Sequence, residues 1–299
     1  MRIFAGSSSK NLARKISGKL KMDLSPVEIF VFPDGEKRIR IKDKVLGQDC
    51  IVVQSAGIPT DENYMELFIM IDALKRSGAK SVKTVIPYLG YQRQDHIFRE
   101  GEAVSLEVIA KILTSVGMTE LFSFDFHSPK IPEIFSVPVH HLSALPQFGE
   151  KIKELGRNTV LVAPDMGGIR RVKQISEMLG NIPFATIEKN RDLSSGEISN
   201  SGLTGDVRGK IAVIIDDMIS TAVTIVDATN LLIEEGAIKV FAFATHGVFA
   251  RYADKILQKS KIEKVFVSDT IEVPPYKIFP KLEIISIAEV TAKALRSNQ

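Results

Sequence analysis

Short apolar runs alternate along this chain with longer segments of helical period. Short apolar runs at 51–53, 82–86, 160–163, 212–215 and 240–244 predict buried strands. Segments 62–76, 105–115, 169–179 and 224–235 place apolar residues on one face and predict amphipathic helices. Near-continuous apolar strands alternating with helices predict an α/β protein with mainly parallel sheets flanked by helices. The pattern also repeats. Residues 66–88 and 224–246 align without a gap, each a helix, then a glycine-alanine pair (Gly78-Ala79 and Gly236-Ala237), then a strand. Two similar domains are therefore expected, 1–146 and 147–299, with the last segment, 281–299, packing back on the first domain.

The 299-residue length suits two domains. With 39 basic and 36 acidic residues the formal net charge is only +3, which gives no footprint for a nucleic acid polymer. Cys50 is the one cysteine, so no intrachain disulfide can form. The first residues read as the start of a strand, and no apolar run approaches the roughly 20 residues of a membrane span. The expected location is cytoplasmic, with no membrane partner.

In open α/β sheets ligands gather beyond the carboxyl ends of the strands, and the polar motifs lie there. The strand at 212–215 runs into Asp216-Asp217, then Ser220-Thr221-Ala222-Val223-Thr224, where a helix opens. Carboxylates accept hydrogen bonds from vicinal sugar hydroxyls, while free amides and hydroxyls at a helix start suit a phosphate. A ribose 5-phosphate matches both ends. An acidic pair holding metal or solvent above a helix cap matches the spacing equally well. Phe32-Pro33-Asp34-Gly35-Glu36 reads as a hairpin turn. Arg93-Gln94, His127, Asp165-Met166-Gly167-Gly168 and the basic pair Lys189 and Arg191 each follow a predicted strand. No G-x-x-x-x-G-K-[ST] sequence occurs, so an ATP user with this sequence needs another phosphate cradle.

The 216–224 segment resembles the phosphoribosyl-binding motif of phosphoribosyltransferases and ribose-phosphate pyrophosphokinases. Phe32 to Glu36, Tyr88 to Asp95, Asp125-Phe126-His127, Pro164 to Gly168 and Lys189-Asn190-Arg191 resemble the pyrophosphokinases in particular, in that family's order. The resemblance implies two domains of the type I phosphoribosyltransferase-like fold. It implies an enzyme that moves the diphosphate of ATP to the C1 hydroxyl of ribose 5-phosphate, for nucleotide biosynthesis. Lys189 and Arg191 would be catalytic; Phe32, Asp34, Gly35, Glu36, Arg93 and Gln94 would hold ATP. Asp165, Met166, Gly167 and Gly168 would cradle the diphosphate. Arg191 and Asp216, Asp217, Ser220, Thr221, Ala222, Val223 and Thr224 would bind the sugar phosphate. Mg²⁺ would be the cofactor, with His127 and Asp165 as ligands. The 32–36 loop would reach a neighbouring subunit's site, implying a homo-oligomer, at least a dimer. The sequence departs from the family where Ala222 and Val223 replace one or two usual glycines and Ser220 replaces a frequent Asp. Valine adopts positive φ poorly, so an altered phosphate loop is expected there.

Overall fold

The structure is a computed structural model that describes residues 1–191 and 198–298. The chain starts with β1 (Arg2–Ala5), a 3-10 turn at Ser7–Ser9, α1 (Lys10–Leu20) and the hairpin β2 (Val27–Val31) and β3 (Lys37–Ile41). Then follow β4 (Asp49–Val53), α2 (Thr60–Arg76), β5 (Ser81–Val85), α3 (Ser105–Ser115), β6 (Glu120–Phe124), β7 (Val139–Leu142) and α4 (Leu145–Lys153). The same succession then runs again. It comprises β8 (Thr159–Ala163), a 3-10 turn at Met166–Gly168, α5 (Ile169–Met178), and the paired β9 (Phe184–Arg191) and β10 (Ile198–Thr204). It continues with β11 (Ile211–Ile219), α6 (Val223–Glu234), β12 (Lys239–Gly247), α7 (Ala253–Lys259), β13 (Lys264–Ser268), β14 (Leu282–Ile285) and α8 (Ala288–Ser297).

The α/β class with parallel sheets is what the structure has. One sheet has the order β1-β4-β5-β6-β7 and is parallel throughout. The other has the order β10-β9-β8-β11-β12-β13-β14 and is parallel except for β10. Strands covered on both faces must be apolar nearly throughout, and all five residues of β8 are buried. Helices bury one stripe: Leu106, Ala110 and Leu113 of α3 recur at helical spacing and are buried.

The duplication extends to individual hydrogen bonds. Helix α2 ends where Ala79 N donates to Leu74 O (3.1 Å) beside Gly78 at φ 87°, and α6 ends where Ala237 N donates to Leu232 O (2.9 Å) beside Gly236 at φ 92°. Only a residue without Cβ takes that left-handed cap freely. Gly47 N donates to Gly78 O and Gly209 N to Gly236 O, both at 2.8 Å. The turn entering β4 and the turn entering β11 are thus tied to the same helix end in the two halves.

Contacts divide the chain into two compact units, Met1–Ser143 with Thr270–Glu272 and Ser286–Gln299, and Ala144–Asp269 with Val273–Ile285. The last helix of each half belongs to the other half's unit. Helix α4 follows β7 yet packs on α5, with Lys151 Nζ 3.3 Å from Glu283 of β14. Helix α8 follows β14 yet packs on α1 and β7, with Lys19 Nζ 2.9 Å from Glu289. Strand β14 itself completes the second sheet.

Candidate functional site

In the second unit, β11 delivers Asp216 and Asp217 at its carboxyl end, next to the parallel strand β8. Both side chains are nearly covered, 13% and 5% exposed. Two carboxylates this close would repel, and the neighbour that answers them is Arg171, itself only 8% exposed. Its guanidinium lies 3.5 Å from Asp216 Oδ1 and 3.3 Å from Asp217 Oδ2. Burial first, then the Asp217 charge, pushes the Asp216 carboxyl well above the usual carboxylate range; Arg171 pulls it back and Asp165 adds to the rise. Asp216 Oδ1 also accepts from the Asp217 amide at 2.8 Å, and Asp217 Oδ1 from the Met218 amide at 3.0 Å.

Arg171 was absent from the sequence reading. The signal was present: an arginine on the buried stripe of α5, beside Val172 and Ile175. A lone basic residue on an apolar face needs a buried partner.

The turn from β8 into α5 carries Asp165, Met166, Gly167 and Gly168. Asp165 Oδ1 accepts from the Gly168 amide at 3.1 Å, so the carboxylate caps the turn. A Cβ on Gly168 would stand 3.3 Å from Pro164 Cδ and 3.5 Å from the Ala163 Cβ, so this glycine lets the turn press against the strand end. Met166 is exposed.

Ser220 and Thr221 lead from β11 into α6. Ala222 adopts φ 68°, and Val223 is already the first residue of the helix. The expected strain on Val223 is therefore corrected. The left-handed residue is Ala222, and a small side chain bears that conformation better than a branched one. Ala222 is buried, Val223 half exposed. The amides of the first turn of α6 have no acceptor within the helix, as at any helix start, and face the same end as Asp216 and Thr224. Lys189 and Arg191 end β9, where the backbone pairs Lys189 with Asn200 and Arg191 with Ile198; their side chains lie outside the described residues.

In the first unit, the Phe32–Glu36 segment is the tip of the β2–β3 hairpin. Phe32 N donates to Glu36 O (2.8 Å), Glu36 N to Asp34 Oδ1 (3.1 Å), and Gly35 takes φ 91°. Phe30 and Phe32 meet edge to face at 4.9 Å, and the Arg38 guanidinium lies over both rings. Arg93 and Gln94 share a cavity of about 430 Å³ with Thr60, Tyr88 and Tyr91. Tyr91 Oη donates to Asp61, a bond that raises the phenol pKa. His127 is exposed after β6, and its amide donates to Gln92 Oε1 at 2.9 Å. Gln92, buried, links the cavity loop to His127. The structure thus groups Arg93 with Gln94 in one unit, and Asp165 to Gly168 with Asp216 and Asp217 in the other.

The structure is a duplicated α/β protein whose polar turns lie at the carboxyl ends of its parallel strands. Comparison with known proteins is specific. Residues 1–117 match a family model described as the N-terminal domain of ribose phosphate pyrophosphokinase, and residues 192–298 match one described as the phosphoribosyl synthetase-associated domain. A ribose-phosphate pyrophosphokinase of Fusobacterium nucleatum is 39% identical over 99% of this chain and 94% of its own. One from Caldanaerobacter subterraneus is 38% identical over 99% and 93%. A crystal structure of phosphoribosylpyrophosphate synthetase from Mycobacterium smegmatis superposes with a TM-score of 0.93 at 34% identity, covering 99% of this chain and 98% of that one. The chain belongs to the ribose-phosphate pyrophosphokinase family.

Proposed function

We propose that this protein is a ribose-phosphate diphosphokinase, converting ATP and ribose 5-phosphate to 5-phosphoribosyl 1-diphosphate and AMP. The observation that carries the reading is family membership over the whole chain, joined to a buried acidic pair at the strand end beside the amides of α6. Asp216 and Asp217 accept from the ribose hydroxyls, while Ser220, Thr221, Thr224 and the first amides of α6 hold the 5-phosphate. Phe32, Asp34, Gly35 and Glu36 take the adenine, and Arg93 forks onto phosphate oxygens beside Gln94. Asp165 to Gly168 cradle the moving diphosphate. Lys189 and Arg191 offset charge as the C1 oxygen attacks the β-phosphorus. The chain chiefly supplies position and charge.

No group of three or more His, Cys, Asp or Glu suited to a metal occurs among the described residues. The carboxylate of Asp165 fits Mg²⁺ brought in on ATP, since this ion keeps waters and substrate oxygens and needs only one or two protein carboxylates. Asp165, part-exposed with hard oxygens, would be the principal ligand, and His127 a lesser one because imidazole is softer. When bound, the ion would neutralise charge on the phosphates. Phe30 and Val31 on the hairpin are 43% and 54% exposed, which supports its burial against a second copy in at least a homodimer. Among the described residues no helix is long and apolar enough to cross a membrane, and we place the protein in the cytoplasm.

Incubation with ATP, Mg²⁺ and ribose 5-phosphate tests the reading. AMP must form in step with the sugar added. A phosphoribosyltransferase would form none, and that result would overturn the proposal.

A further inference from the structure

The duplication allows each residue of one half to be matched with its counterpart. Asp49 opens β4 opposite Ser81 of β5, and Ile211 opens β11 opposite Lys239 of β12. Counting along equivalent strands, Gln54 and Ser55 stand where the second unit has Asp216 and Asp217. The Ser7–Ser9 turn between β1 and α1 stands where Met166–Gly168 lies between β8 and α5, and the β2–β3 hairpin where β9–β10 lies. Measured back from the matched helix ends at Gly78 and Gly236, Glu66 corresponds to Thr224. The first unit therefore repeats the anion-binding scaffold with different residues on it.

Its cradle is filled by the protein. The Glu66 side chain is 1% exposed and accepts from four donors. Ser7 N donates to Oε1 at 2.6 Å and Ser7 Oγ to Oε2 at 2.8 Å. Gln54 Nε2 donates to Oε1 at 3.1 Å and Lys37 Nζ to Oε2 at 2.9 Å. Gln54 Oε1 in turn accepts from the Ser8 amide at 3.1 Å and the Ser8 hydroxyl at 2.8 Å. A Cβ on Gly6 would fall 2.1 Å from Gln54 Oε1, so the turn closes on this network only with glycine there. A turn amide, a hydroxyl, a carboxamide and an ammonium converging on one buried anion is how proteins hold a phosphate oxygen. At the matching place the second unit has Thr224, a neutral hydroxyl in place of the charge. Lys37 is the first residue of β3, directly after Glu36, and its side chain is 11% exposed. It also donates to Glu62 O at 3.3 Å, so the strand leaving the hairpin tip is tied to α2.

We propose that Glu66 is a resident anion filling the first unit's counterpart of the phosphate cradle, and that through Lys37 it positions the Phe32–Glu36 hairpin for the nucleotide. The second half of the proposal rests on the nucleotide reading of that hairpin; the first half does not. Glu66 is a positioning residue, and its effect must fall on one substrate.

The test uses the full chain with Glu66→Ala and Lys37→Met. Thermal midpoints are measured in sodium formate against sodium chloride at equal ionic strength. Formate, a free carboxylate, is expected to raise the midpoint of Glu66→Ala and leave wild type unchanged. In turnover, both variants are expected to raise KM for ATP about tenfold while KM for ribose 5-phosphate stays within about twofold. Formate should recover Glu66→Ala and not Lys37→Met, which has lost the cation. Equal formate response in wild type and Glu66→Ala overturns the resident anion. Parallel changes in both KM values, or none, overturn the positioning role. If Glu66→Ala does not fold without formate, folding on its addition supports the resident anion and failure with it opposes it; Lys37→Met still decides positioning. If wild type forms no sugar-dependent AMP, the nucleotide reading has failed, and with it positioning, while the formate comparison still decides the rest.

Discussion

Replacing Arg171 by methionine keeps most of the side-chain volume and removes the only charge drawn to both Asp216 and Asp217 among the described residues. At 3.3 and 3.5 Å each attraction is worth about 5 kcal/mol at an effective dielectric of about 20. Desolvation of three ions offsets most of that gross sum. What remains visible on breaking such a buried cluster is about 3–5 kcal/mol, because two covered carboxylates lose the cation they share. The deficit must depend on pH, with a definite sign. Asp216 already has a folded-state pKa above its unfolded value. Between those two values the folded protein binds the extra proton, so stability falls as pH rises through the window and is flat above it. Without Arg171 the folded pKa climbs further and the window extends upward. Urea denaturation should therefore show the full deficit of Arg171→Met at alkaline pH, above the window, and a clearly smaller one as pH falls into it, where Asp216 takes up its proton. Arg171→Lys should recover part of it, since a point charge cannot face both carboxylates as a guanidinium does. A deficit that does not change with pH would refute this account of the cluster.

Two further substitutions and one reagent probe the rest. Ala222→Gly should leave stability unchanged or raise it by up to about 1 kcal/mol, because relief of a left-handed alanine outweighs the added freedom of glycine when unfolded. Val223→Gly, one residue on in helical conformation, should cost about 0.5–1 kcal/mol; the opposite order in thermal denaturation would show that the strain is elsewhere. Cys50 is buried in β4, and burial pushes its thiol up to about 11, so iodoacetamide at pH 8 should label it only after unfolding. Labelling of the native protein at a free-thiol rate would contradict this packing.

The helices and strands were legible because their apolar periods are local. Segment 105–115 predicted α3 with the bounds it has, and 169–179 and 224–235 predicted α5 and α6 to within a residue at either end. The Asp-Gly turn at 34–35 was legible for the same reason. Strand β11 runs on to Ile219, four residues past its apolar run, since Asp216 and Asp217 stay in register with β12. Polar residues that continue a strand at a ligand-facing end carry no period to announce them. Arg171 was missed because its partners lie 45 and 46 residues away, and the residue adopting positive φ could not be chosen between Ala222 and Val223 without the backbone.

The two halves separate what the scaffold supplies from what the residues decide. Matching turns, glycine caps and strand registers recur at Gly47 and Gly209 and at Gly78 and Gly236, so geometry alone cannot explain why one cradle would receive a substrate. Charge placement can. In the second unit the carboxylates sit on the strand, Arg171 pairs with both, and the helix start carries the neutral Thr224. In the first unit the strand has neutral Gln54 and Ser55, and the helix supplies the anion itself as Glu66. The first unit thus lacks both strand carboxylates and carries one on the helix instead, which on the proposed reading makes a fixed joint of the place where the second unit would take a phosphate. The Ser7–Ser9 turn then holds Glu66, and through it Lys37 beside the hairpin tip. A carboxylate introduced at position 224 should accordingly close the second cradle, abolishing sugar-phosphate binding while leaving the fold intact.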